Sequence, residues 1–146
     1  MTRPTVPPLG LRLNSTAKAV GRAFDEALAT AGGSLSTWLI LTTLKSRRVE
    51  NQRALAEAVG IQGATLTHHL NAMEGDGLIT RRRDPANRRI HVVELTEQGE
   101  AAFRRMRTAA VAFDKRLRTG LTGDDVAQLT ELLNRLRANV TEDDGC

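Results

Sequence analysis

Gln62-Gly63-Ala64-Thr65-Leu66-Thr67-His68-His69-Leu70-Asn71-Ala72-Met73-Glu74 is the stretch on which the reading of the whole chain turns. Leu66, Leu70 and Met73 recur at steps of four and three, the spacing that lines one stripe of a helix and points it into a core. At about 100° per residue the opposite side carries Ala64, His68, Asn71, Ala72 and Gly75, flanked by Thr65 and Thr67. Surface helices are usually covered with Lys and Glu, and this face has neither. Short polar groups beside slim Ala and Gly suit a helix that enters a groove and touches base edges. An ordinary amphipathic helix would show the same inner stripe, so the flanking sequence decides between the two.

Upstream, Asn51 is a good N-cap for a short helix over Gln52 to Val59, with Leu55, Ala56 and Val59 inside and Gly60 as its stop. Two helices joined by a short turn containing Gly make a helix-turn-helix. Downstream of Asp76-Gly77, the alternation in Leu78-Ile79-Thr80-Arg81 and in Ile90-His91-Val92-Val93-Glu94-Leu95 reads as two strands. Asp84-Pro85-Ala86-Asn87 between them is turn chemistry, so the pair is a β-hairpin. A helix-turn-helix followed by such a hairpin is a winged helix.

Further out the chain is helical. Leu13, Ala17, Val20, Phe24, Leu28 and Ala31 predict a long amphipathic helix over Leu9 to Ala31, ended by Gly32-Gly33. Ser34 or Ser36 caps a second helix through Trp38, Leu39, Leu41 and Leu44, closed by the basic Lys45-Ser46-Arg47-Arg48. Thr96 caps a long helix bearing Phe103, Met106, Ala110, Phe113 and Leu117, which Gly120 ends. Thr122 and Asp125 form a capping box for a last helix with Val126, Leu129, Leu133, Leu136 and Val140 on one side. The fold class is thus mainly α with a small β-hairpin wing: a winged helix-turn-helix flanked by dimerisation helices. The expected division is an N-terminal arm and dimerisation helix over 1–35, the DNA-binding domain over 36–95 and C-terminal dimerisation helices over 96–146. Each fully buried Leu or Val is worth roughly 1.5–3 kcal/mol. Wide apolar stripes on the terminal helices therefore call for a cover, and a second copy of the chain is the simplest; mutual packing within one monomer is the alternative.

The 146 residues are one domain's worth, 40% hydrophobic and 26% charged, an ordinary globular composition. No apolar run reaches the ~18 residues that span a bilayer. Met1 to Pro8 holds three prolines and no apolar core, so it reads as a loose arm and not a secretory signal. The single cysteine, Cys146, cannot form an internal disulfide, which makes a reducing cytoplasm the expected compartment. Net charge is +4, and 18 of the 21 basic residues are Arg. Placement says more: between Leu78 and Val93, Arg81, Arg82, Arg83, Arg88 and Arg89 stand against Asp84 alone, a local excess equal to that of the whole chain. The sequence shows no internal repeat and no low-complexity tract.

With these pieces in order, the chain resembles the multiple-antibiotic-resistance regulator (MarR) family of winged-helix transcription factors over roughly Leu9 to Val140. The most specific match is Asp84-Pro85-Ala86-Asn87-Arg88-Arg89 followed by Val92-Val93-Glu94-Leu95-Thr96-Glu97-Gln98-Gly99: an acid, a basic tip, then a strand ending in Leu-Thr-x-x-Gly. Glu74-Gly75-Asp76-Gly77-Leu78-Ile79 resembles the family's passage from recognition helix into wing. The resemblance implies an obligate homodimer on a pseudo-palindromic operator in double-stranded DNA, and release by a small, often phenolic or anionic, effector. It places Arg88 in a minor groove, where narrow A·T-rich DNA concentrates negative potential. Arg89 would support the wing or a phosphate, with Asp84 as ion partner. It also puts Trp38 in a ligand cleft facing Arg12, Leu13 and Asn14; a core anchor is the other reading of Trp38. A recognition position often basic in relatives falls on His68, a departure that bears on base preference.

Among the candidate DNA contacts, Thr65, Thr67, His68 and Asn71 have donor and acceptor capacity for bases or phosphates, and Gln62 sits at the helix start for either. Arg81, Arg82 and Arg83 alternate faces on a strand, so not all can meet DNA; Arg82 serves phosphates or the domain's own surface. His69, about 60° from the inner stripe, reads as half-buried structure. No metal ligands, cofactor loop or catalytic set occur at a recognised spacing. The expected function is a dimeric DNA-binding regulator acting as an effector-released repressor, against two rivals: an effector-independent DNA binder and a helical protein-interaction adaptor.

Overall fold

The computed structural model describes residues 6–46, 51–87 and 91–141, with His91 described by its backbone alone. Its elements are α1 (Leu9–Ala29), α2 (Leu35–Ser46), α3 (Gln52–Val59), α4 (Gly63–Gly75), β1 (Ile79–Arg83), β2 (His91–Leu95), α5 (Glu97–Leu117) and α6 (Gly123–Val140). Two compact units result, Met1–Val111 and Ala112–Cys146. The first unit joins the winged helix to α1 and to most of α5. Compactness therefore divides the chain within α5, whereas the roles assigned from sequence change at residue 96.

The local signals act where physics places them. Helix α1 stops two residues short of the predicted Ala31, because Gly33 N–H donates to the Leu28 carbonyl at 3.0 Å and Gly32 turns left-handed at φ +79°. Of the two candidate serines, Ser34 caps α2: its Oγ accepts from Thr37 N–H at 3.2 Å. The Asp25 carboxylate accepts from Leu35 N–H at 2.8 Å, tying the end of α1 to the start of α2. Asn51 caps α3 by accepting from Ala54 N–H at 2.8 Å.

The core of the first unit is built from one stripe of each helix. Leu28 of α1, Ile40 and Leu41 of α2, Leu55 of α3, Leu66 and Leu70 of α4, Ile79 of β1 and Met106 of α5 are all completely buried. At roughly 1.5–3 kcal/mol each, these side chains dominate the unit's stability. No charged or polar residue is buried among the described residues. The strands pair antiparallel from Ile79↔Leu95 to Arg83↔His91, so Ile79 faces the core while Thr80 and Arg82 face away from it.

In the second unit, the end of α5 passes through Gly120 at φ +82° into α6. The predicted capping box is complete: Thr122 Oγ1 accepts from Asp125 N–H at 3.1 Å, and Asp125 Oδ2 accepts from Thr122 N–H at 2.9 Å. No residue of α6 is buried in the single chain, and Leu129, Leu132 and Leu133 stay exposed. On α1 the same is true of Leu9, Leu11 and Leu13.

Candidate nucleic-acid interface

The turn between α3 and α4 is closed by backbone. Gly60, left-handed at φ +81°, donates its N–H to the Ala56 carbonyl at 2.9 Å, and Ile61 N–H reaches the same oxygen at 3.2 Å. Gln62 is extended, and its carbonyl accepts the first helical bond, from Leu66 N–H. Its side chain makes no capping bond and is exposed. The leading N–H groups of α4 thus lack a side-chain acceptor at the positive end of the helix dipole, an arrangement that receives phosphate oxygens. A groove of about 550 Å³ runs along this turn between Gln52, Ile61, Gly63 and Thr67.

Beyond that start, α4 presents the face predicted from its periodicity. Leu66, Leu70 and Met73 are buried, while Ala64, Thr65, His68, Asn71 and Ala72 are exposed, and His69 is half-buried. Two of the candidate contacts already have protein partners. The Thr67 hydroxyl donates to the Gly63 carbonyl at 2.9 Å and accepts from Gln52 Nε2 at 2.8 Å, bracing α4 against α3. The Asn71 side-chain oxygen accepts from Arg81 Nη2.

Arg81 is the residue that sequence reasoning missed. Its guanidinium, only 17% exposed, lies between Asn71 and Glu74, with Nη2 at 3.1 Å from Glu74 Oε1. Arg81 N–H also donates to Glu74 Oε2 at 3.1 Å, so backbone and side chain together fasten the first wing strand to the end of α4. The hydrogen bonds from the Arg81 side chain hold the Glu74 carboxyl below the usual carboxylate range, against a smaller opposing effect of desolvation. The one available signal was that Asn71 and Glu74, three apart, share a helix face just before a strand bearing Arg81.

On the outer face of the wing, Arg82 pairs with Glu94 at 2.7 Å, diagonally across the register. Bonding to Glu94 raises the Arg82 pKa further above its ordinary value. Arg82 therefore engages the domain's own surface, one of the two roles expected of it. Arg83 is exposed and has no ion partner among the described residues. Asp84 opens the turn, with Oδ1 accepting from Ala86 N–H at 2.8 Å. Arg88 and Arg89, and with them the predicted pairing of Arg89 with Asp84, lie outside the described residues, as does Cys146.

The expected ligand residues are not brought together within one chain. Trp38 is half-buried and stacks on Phe103, ring centroids 5.4 Å apart and planes 14° from parallel, at the edge of the core. Lys45 stands 5.6 Å over the same Phe103 ring and pairs with Glu100 at 2.9 Å. Arg12, Leu13 and Asn14 are exposed near the start of α1. The α1 residues that pack on the core are Leu28 and, nearer the N-terminus, Phe24, which lies about 16 Å further along the helix than Leu13 at 1.5 Å per residue. Among the described residues no cluster of His, Cys, Asp or Glu could hold a metal ion, and no helix is long and apolar enough to cross a membrane.

Comparison with known proteins agrees with this geometry. The MarR family model matches residues 34–91, from the start of α2 into the wing. An uncharacterised HTH-type transcriptional regulator of Bacillus subtilis (strain 168), YdgJ, is 30% identical over 129 residues, covering 88% of this chain and 77% of the relative. Among solved structures, the transcriptional repressor CouR bound to a 23-mer DNA duplex superposes with a TM-score of 0.83 at 27% identity, over 89% of this chain and 92% of the other. CouR from Rhodococcus jostii RHA1 bound to p-coumaroyl-CoA shares the fold with a TM-score of 0.75 at 22% identity, over 94% and 96% of the two chains.

Proposed function

The chain belongs to the MarR family and is a DNA-binding transcriptional regulator, not an enzyme; from that premise we propose that it is a cytoplasmic homodimeric repressor that holds a pseudo-palindromic operator and lets it go when a small aromatic or anionic effector binds. The observation that carries the reading is the outer face of α4, uncharged, slim and hydrogen-bonding, with an uncapped N-terminus. Such a face fits a major groove, where side chains meet base edges and helix N–H groups meet phosphates. In this reading Gln62, Thr65, His68 and Asn71 form the contact face, Thr67 braces it, and Arg88 enters the neighbouring minor groove. Arg82 and Arg89 hold the wing's shape beside the backbone.

The exposed leucines of α1 and α6 support a dimer, because a second copy removes them from water. Two such subunits set their recognition helices about one helical turn, ~34 Å, apart. CouR, a repressor on a DNA duplex at 27% identity, supports the sign of regulation. The effector cleft is assigned to Trp38 with Arg12, Leu13 and Asn14. An effector that prefers the spread dimer shifts the population by no more than its differential affinity for the two states.

Fluorescence anisotropy on duplexes from the protein's own upstream region tests the proposal. Saturable binding should weaken with salt along a log–log slope of about −0.9 per neutralised phosphate. Arg88→Ala should weaken it, and salicylate should reverse it. Binding that ignores aromatic acids would leave a constitutive repressor. Failure to bind duplex at low ionic strength would overturn the reading.

A further inference from the structure

We propose that Arg81 is a specificity-determining positioning residue, which locks the Asn71 amide so that this recognition-helix side chain offers DNA a hydrogen-bond donor and disfavours adenine. The inference deepens the DNA-binding reading above and rests on it. Its chemistry begins with the guanidinium, which has five N–H donors and no acceptor. The Asn71 atom facing Arg81 must therefore be the carbonyl oxygen. The Asn71 amide nitrogen has no partner among the described residues, and Asn71 is exposed on the outer face of α4.

Arg81 is itself held firmly enough to impose this orientation. Its fork bonds to both carboxylate oxygens of Glu74, its backbone N–H to one of them, and the side chain is largely buried. Turning the amide over would set two donors against each other. An unrestrained Asn reads adenine with both ends of its amide, accepting from N6 and donating to N7. Here the oxygen needed for the first of those bonds already accepts from the Arg81 guanidinium, so adenine N6–H would have to share it as a second donor beside a cation, a weaker bond than a free amide offers. Guanine presents acceptors at both N7 and O6, and thymine presents O4, so an amide held with its NH2 free suits either. Arg81 touches no base in this scheme; it selects one through Asn71.

The test is selection of duplexes from a randomised pool by the full-length protein, followed by sequencing, with thermal melts on every variant. Asn71→Ala should flatten base preference at one position per half-site, which identifies the base that Asn71 reads. At that position the wild type should disfavour adenine by roughly tenfold. The double variant Arg81→Met with Glu74→Gln removes the fork without stranding a carboxylate, and should raise adenine there by at least about threefold. Arg81→Lys keeps the charge but not the planar fork, and should shift preference the same way by less. It keeps the test open if the double variant does not fold. An unchanged profile in folded Arg81 variants, or no position altered by Asn71→Ala, overturns the proposal. If the wild type enriches no duplex at all, the DNA-binding reading fails first and this one with it.

Discussion

The backbone carbonyl of Leu78 occupies the space that a side chain on Gly99 would need. That carbonyl also accepts from Thr96 N–H at 3.1 Å, and Gly99 N–H donates to Thr96 Oγ1 at 3.0 Å. The strand leading into the wing, the cap of α5 and the first turn of α5 thus close on one point. Gly99 is there because any Cβ overlaps backbone, which cannot swing aside as a flexible side chain would. Gly99→Ala should therefore cost about 1–3 kcal/mol, as overpacking does. Urea denaturation would show it, and an unchanged midpoint would mean that the turn can open without penalty.

Glu74 ties stability to pH. Its folded pKa lies below the ordinary value of 4.5, chiefly because the Arg81 side chain bonds to the ionised form. A carboxylate depressed in this way adds stability that is fully present above its unfolded pKa and is lost as pH falls through the folded value. Glu74→Gln should thus be less stable than the wild type at pH 7, with the gap closing below pH 4.5. Thermal melts of the two proteins between pH 7 and pH 3 would check it. A gap that stays constant over that range would show that the ionised carboxylate contributes nothing.

Thr67 separates a brace from a base contact. Its hydroxyl proton goes to the Gly63 carbonyl, and one lone pair takes the Gln52 amide. Thr67→Val keeps the shape and removes both bonds, so stability should fall by about 1 kcal/mol. If Thr67 is a brace, the ranking of preferred duplexes should not change. A reordered ranking at equal stability would return Thr67 to the list of base readers.

The difference between what was legible in the sequence and what was not follows the range of the interactions. Leu66, Leu70 and Met73 could be placed inside because a helix's period is a local property, and Asn51 and Thr122 could be read as caps because the backbone N–H groups they accept from lie three residues on. The uncharged outer face of α4 was visible for the same reason. The partners of Arg81 and Arg82 were not. Which helix a strand's arginine meets depends on how the wing leaves α4, and the diagonal pairing of Arg82 with Glu94 depends on a strand register set by the turn. The partners of Thr67 were hidden for a related reason: a hydroxyl at a groove-facing position looks free until the neighbouring helix supplies Gln52.

The terminal helices carry the last prediction. Leu129 and Leu133 of α6 are four apart on one face, and each remains at least 40% exposed, with Leu132 beside them at 45%. A single charge on that face would be solvated in a monomer and cost little. At the centre of a dimer interface it would be buried without a partner, a cost of several kcal/mol. Leu129→Glu combined with Leu133→Glu should accordingly convert a particle of twice the chain's mass into one of the chain's own mass by sedimentation equilibrium. Duplex affinity should collapse with it, because one recognition helix cannot span two half-sites. The winged helix itself should survive, since none of its core residues lies on α6. A double variant that still sediments as a dimer would place the interface elsewhere. A wild type that already sediments as a single copy would leave the exposed leucines, and the two-subunit mechanism, without a cover.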